Sequence, residues 1–69
     1  MRMNLKNARK EKSMTQKQVA DYLIIKVEYY KKIEYGQRVG AVELWDALED
    51  LFNIHQRELR KVHAQEDSP

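Results

Sequence analysis

One proline, at the very end of the chain, and two glycines, Gly36 and Gly40, are the only strong helix breakers in 69 residues. Lys, Glu, Gln, Leu and Ala recur between them, and these residues lose little by entering a helix. No stretch alternates apolar and polar side chains as a half-buried strand does, and no internal repeat is present. A chain so punctuated has one way to hide its apolar residues, which is to pack short helices. The expected class is therefore all-α, with five short helices in one small domain over residues 1–64 and a flexible tail over 65–69, "QEDSP". A chain of this size lies near the lower limit for folding without staples. There is no cysteine, so neither a disulfide nor a thiolate site can help, and a reducing compartment suits it. His55 and His63 stand eight apart with no third ligand to complete a metal site. No metal and no cofactor is expected, and stability has to come from an apolar core or from a partner subunit.

Charge divides the chain. Residues 1–38 hold ten Lys/Arg and four acids, a net +6, whereas residues 39–69 hold three Lys/Arg and seven acids, a net −4. A basic half joined to an acidic half suggests one face for a polyanion and another turned away from it, the alternative being ordinary solvated charge. No run approaches a membrane span, and "MRMNLKNARKEKS" is too charged for a secretion signal. A cytoplasmic location is expected, with no membrane and no small-molecule ligand.

The first helix is predicted over about 4–12, with Leu5 and Ala8 inward and the stems of Arg9 or Lys12 beside them. "TQKQ" is a capping box: the Thr15 hydroxyl can accept from the Gln18 backbone, and the Gln18 side chain can reach back to the Thr15 amide. It opens a helix over about 15–23 that buries Val19, Ala20 and Leu23. After a tight turn, Ile25 leads into a third helix over 26–34, with Tyr30 and Ile33 on one face and Gly36 as a left-handed stop. A fourth helix is expected over 41–52, turning Val42, Trp45, Leu48 and Phe52 inward, with Asn53 as its stop. Ile54 leads a fifth over 55–63 that buries Leu59 and Val62. Two helices of about eight residues with a turn of about three between them, at 15–34, form a helix-turn-helix pattern.

"TQKQVADYL" followed by "YYKKIEYGQR" resembles the lambda-repressor-like, Cro/C1-type helix-turn-helix proteins of bacteria and their phages. Leu5, Arg9, Thr15-Gln16, Val19-Ala20, Ile33-Glu34, Gly36, Arg38 and Asn53-Ile54 fall on the family's pattern over residues 4–60 without insertion or deletion. The resemblance implies a DNA-binding transcription regulator whose third helix enters the major groove. Lys26, Val27, Glu28, Lys31 and Lys32 would then face base edges, and Gln16 would bond a phosphate from the start of the second helix. Arg9 and Glu34 take the positions of a partly buried ion pair that ties the first helix to the third. Three departures stand out. The turn position, usually glycine, is Ile24, which is either left-handed at about 1–2 kcal/mol of strain or relieved by an adjusted turn or a packing neighbour, the latter being expected. Lys26 replaces the usual Ser or Thr cap of the third helix, and Gly40-Ala41 replaces the Pro-Ser that opens the fourth.

Placed on a helical wheel, Tyr30 is a core residue whose hydroxyl needs a partner. Tyr29 is half exposed, either as a phosphate or sugar contact or as a plain surface aromatic. Lys32 can donate to guanine, and Glu28 either accepts from cytosine or pairs with Lys32, its i, i+4 neighbour. Lys17, Tyr35, Gln37, Arg38 and Lys10, with Arg2 from the first-helix side, are the remaining candidates for phosphate contacts. The acidic fourth helix is expected to face away from the duplex. Its second apolar stripe, Leu44 and Leu51, joins Ile54 and Leu59 as the expected surface of a homodimer on DNA.

The reading that follows is a repressor of the phage or mobile-element kind, acting near the nucleoid by occupying double-stranded promoter DNA. With no second domain, it should resemble a Cro-type switch more than a full-length repressor. The alternative is a protein-interaction module on the same fold, with the acidic helix docking a toxin, a polymerase subunit or another regulator. An enzyme is not expected, because no nucleophile–base set, metal cluster or phosphate-cradling glycine loop is present.

Overall fold

In the computed structural model, which describes residues 1–63, the helices are α1 Met3–Glu11, α2 Gln16–Leu23, α3 Val27–Glu34, α4 Val42–Phe52 and α5 Gln56–Leu59. No strand occurs among the described residues. The tail expected at 65–69 lies outside them, as does residue 64. The capping box forms in full: Gln18 N–H donates to Thr15 Oγ1 at 3.1 Å, and Thr15 N–H to Gln18 Oε1 at 2.8 Å. Lys26 and Ala41 sit at the N-caps of α3 and α4 and make no side-chain cap, as their side chains dictate.

Helices α1, α2 and α3 end in the same way. In each, a left-handed residue closes the end (the cap itself, Ile24, in α2, and the residue after the cap in α1 and α3), its N–H reaches back three residues, and the next N–H reaches back five. Ser13 donates to Lys10 (2.9 Å) and Met14 to Arg9 (3.1 Å); Ile24 to Asp21 (3.1 Å) and Ile25 to Ala20 (3.0 Å); Gly36 to Ile33 (3.1 Å) and Gln37 to Lys32 (2.8 Å). This closure satisfies carbonyls that a helix end would leave bare, and it demands a positive φ whatever the residue. Only α3 meets the demand with glycine; Ser13 and Ile24 hold φ of 56° and 59° with a Cβ in place. The turn at Ile24 is thus neither adjusted nor packed, contrary to expectation. Ile24 is left-handed and 90% exposed, held there by the two backbone bonds while Ile25 packs on the core. Replacing it relieves about 1–2 kcal/mol of strain against about 0.5–1 kcal/mol of added chain entropy. Ile24→Gly is therefore expected to stabilise the fold by up to about 1 kcal/mol, or about 4–8 °C in Tm; a lowered Tm would show that the strain at this turn is smaller than the entropy that glycine adds.

The core comprises Leu5 and Ala8 of α1, Val19, Ala20 and Leu23 of α2, Tyr30 and Ile33 of α3, Trp45, Leu48 and Phe52 of α4, and Leu59 of α5. Fully burying a side chain such as Leu5 or Leu48 contributes about 1.5–3 kcal/mol. Helix α3 packs on α2 and α1, and α4 and α1 both pack on α5.

Several expectations need correction. Val42 is 68% exposed: in the first turn of α4 it is Leu44 that packs against the core, and Val42 stays outside. The fifth helix stops at Leu59 rather than 63, and Val62 is 54% exposed. Beyond it the chain is held by the amino-terminal residues. Arg2 Nε donates to Arg60 O at 3.0 Å, and His63 N–H donates to Met1 O at 2.8 Å, so the chain leaves the helix to pair with the amino terminus. Arg2 itself is 4% exposed and is no surface contact. Its Nη1 donates to the carbonyls of Ile33 (2.6 Å) and Arg38 (2.9 Å), and its guanidinium lies 5.2 Å over the Trp45 ring. Leu59 is fully buried within the chain and so offers nothing to a dimer surface.

Candidate nucleic-acid interface

The side chains that fix α3 are polar as well as apolar. Glu34, fully buried at its C-terminal end, takes four donors. Arg9 Nε reaches Oε1 at 2.8 Å and Arg9 Nη2 reaches Oε2 at 3.1 Å; the Tyr30 hydroxyl donates to Oε1 at 2.9 Å and Gln16 Nε2 to Oε2 at 3.0 Å. Arg9 Nη1 adds a bond to Met14 O at 2.9 Å. A buried carboxylate is tolerable only when paired and fully bonded, and this one is both. The cluster joins α1, the start of α2 and α3, so it sets how the third helix leans on the second. The Glu34 hydrogen bond raises the Arg9 pKa above its ordinary value, keeping the guanidinium charged.

Gln16 takes part in this cluster: one N–H of its side-chain amide goes to Glu34, which leaves a second N–H on the same nitrogen. The sequence did not reveal this, because Gln16 and Glu34 are eighteen residues apart and nothing local pairs them.

Burial pushes the Tyr30 hydroxyl well above its ordinary pKa, and the neighbouring Glu34 charge and hydrogen bond push it further. A raised folded pKa contributes stability that is complete below the unfolded value, near pH 10, and is lost as the unfolded chain ionises above it. The loss approaches about 1.4 kcal/mol per pH unit. Tyr30→Phe should cost about 1–2 kcal/mol at neutral pH and flatten the decline above pH 10. Urea unfolding across that range checks both, and an unflattened alkaline slope would place its origin elsewhere.

On the opposite side of α3, Lys26, Glu28, Lys31 and Lys32 are exposed, while Tyr30, Ile33 and Glu34 are buried behind them. Val27 and Tyr29 are half-buried against the core. No ion pair within 4.0 Å joins Glu28 to Lys32 among the described residues, so the pairing alternative for Glu28 is not formed in the free chain. Tyr35, Gln37 and Arg38 are exposed in the loop that follows. That loop is not slack: Gln37 and Arg38 N–H both donate to Lys32 O (2.8 and 3.2 Å), and Arg2 holds the Arg38 carbonyl. Lys10 is exposed on α1; Lys17, exposed on α2, pairs with Asp21 at 3.1 Å. Leu44, Leu51 and Ile54 are half-buried against the core.

Arg57, Arg60 and Lys61 were not among the sequence candidates. They are the three cations of the acidic half, and only the fold brings Arg2 of the basic half against them, around one cleft. Their spacing of three and one places them together near the end of α5, which was the only signal available.

No group of three or more His, Cys, Asp or Glu that could hold a metal occurs among the described residues, and no helix there is long and apolar enough to cross a membrane. A family model described as Helix-turn-helix matches residues 5–61. No curated protein and no solved structure matches the chain.

Proposed function

The chain belongs to the Cro/C1-type helix-turn-helix family, a DNA-binding family, and from that premise we propose that it is a sequence-specific repressor that occupies operator DNA through the major groove. The observation that carries the reading is the exposure of Lys26, Lys31, Lys32 and Arg38 along α3 and its following loop, on a helix fastened from behind by Tyr30, Ile33 and Glu34. Lysines and arginine so placed neutralise phosphates and donate to guanine, whereas Glu28, with no ion pair among the described residues, is available to accept from cytosine. Val27 and Tyr29 lie at the edge of the same face, where a thymine methyl or a sugar would meet them. Tyr35, Gln37, Arg38, Lys10 and Lys17 supply backbone contacts; for Lys17 this means exchanging Asp21 for a phosphate. Gln16 contributes its backbone N–H at the first turn of α2.

The same reading includes a homodimer on DNA through Leu44, Leu51 and Ile54, without Leu59. Two copies reading two half-sites raise affinity by effective concentration, and the sites would be palindromic as the symmetric pair is. Selection of bound genomic fragments at a fixed salt concentration tests both points. Enrichment of one inverted-repeat motif, whose promoter reporter falls when the protein is expressed, is the expected result. Fragments enriched without a common motif would end the claim of sequence-specific repression.

A further inference from the structure

A cleft of about 490 Å³ is lined by Arg2, Arg57, Arg60, Lys61 and Val39. Four of its five lining residues are cations. Only Lys61 has a carboxylate within 4.0 Å among the described residues, Glu58 at 3.0 Å. Arg2, Arg57 and Arg60 have none there. Gathering like charges around one depression costs energy unless an anion fills it. Burial, and then the charge of Arg60, lower the Arg2 pKa from its ordinary value, which is what crowding without a counter-charge does. Arg2 is also incompletely bonded. Its Nε and Nη1 donate to Arg60, Ile33 and Arg38 carbonyls, while Nη2 has no protein acceptor among the described residues, although the side chain is buried. A buried guanidinium nitrogen with two unspent donors, at the wall of a cationic cleft, is a group lacking its acceptor.

We propose that this cleft is a binding site for a phosphate-class anion, with Arg57 and Arg60 as its exposed arms and Arg2 Nη2 as its fixed donor. Arginine forks match the tetrahedral oxygens of phosphate, and two or three together outcompete solvent where one does not. The phosphate is either a free one, such as pyrophosphate or the phosphate of a nucleotide, or a diester of a DNA backbone that passes α5 as well as α3. The site does not rest on the operator reading, since free phosphate can be tested on the protein alone.

The structure supplies its own reporter. Trp45, the single tryptophan, lies under Arg2 at 5.2 Å and donates from Nε1 to the carbonyl of Val39 at 2.6 Å, so two cleft residues touch its indole. Pyrophosphate is titrated into the full chain at constant ionic strength, with chloride as the control, following Trp45 emission and heat by calorimetry. A saturable signal that weakens about tenfold or more in Arg57→Ala and Arg60→Ala identifies a free-phosphate site. Both residues are exposed, so neither substitution threatens the fold, and circular dichroism confirms it. In parallel, binding to a random-sequence duplex is measured against salt. A slope reduced by about 0.9 for each arginine removed, with no pyrophosphate signal, identifies a backbone phosphate instead. No saturable pyrophosphate response together with an unchanged salt slope overturns the proposal. Loss of operator binding with the pyrophosphate response intact would count against the function proposed above and leave this site standing.

Discussion

Glu34→Ala is expected to cost the fold about 3–5 kcal/mol and to lower its urea midpoint sharply. The substitution strips the acceptor from Arg9, Tyr30 and Gln16 together, stranding a buried guanidinium, and breaking a buried pair in this way costs about 3–5 kcal/mol. A domain of this length holds about 3–10 kcal/mol in all, at the usual stability per residue, so one side chain carries a large share of it. The effect is larger than its contact distances suggest because the penalty is for desolvated groups left unpaired, more than for attraction lost. Glu34→Gln, which keeps one acceptor oxygen, should fall between. The double variant Arg9→Met, Glu34→Leu should recover part of the loss by removing both charges. Circular dichroism and urea unfolding of the four proteins check the order. A Glu34→Ala chain that melts like the parent would mean that the cluster is decoration.

Removing the exposed cations should have the opposite profile, with the fold intact and the ligand lost. Lys26, Lys31, Lys32 and Arg38 all have solvent around them, so replacing the four by alanine leaves the core untouched, and surface changes of this kind usually stay within about 0.5 kcal/mol each. If each cation meets a phosphate or a base, the salt slope of DNA binding drops by about 3–4, and affinity at low salt falls on the order of a thousandfold. Gel-shift titrations at several salt concentrations measure both. A quadruple variant that folds and binds DNA within threefold of the parent would hand the argument to the alternative, a protein-interaction module on a helix-turn-helix scaffold.

The two results bear on different layers of what the sequence disclosed. Helix content, the capping box, the stops at Gly36 and Asn53 and ten of the eleven core side chains were legible because each depends on neighbours in sequence or on a pattern within one helix; the Arg9–Glu34 pair, 25 residues apart, came only from the family resemblance. Leu59 was also read as inward, yet it was assigned to a dimer surface as well, and only the packing of α5 on α1 and α4 shows that it cannot serve both. Arg2 was misplaced for a related reason: it has a long polar side chain whose partners come from distant segments, and spacing carries no information about such partners. Ile24 failed differently. Its side chain argues against a left-handed backbone, but the closure of α2 is decided by Asp21 and Ala20 carbonyls, which prevail at modest cost. The cationic cleft was invisible because the chain was divided into a basic and an acidic half, and the site straddles that division.

The stitching of Met1 and Arg2 to residues 60–63 has a consequence for the order of synthesis. Arg2 must wait for nearly the whole domain to emerge before its guanidinium finds the Arg60 carbonyl. A nascent polypeptide released before that point holds the segments of α1 to α4 in full, with an arginine headed for the interior and one acceptor short. Quality-control proteases therefore have a sharp difference to act on, between chains that stop just before residue 60 and chains that pass it.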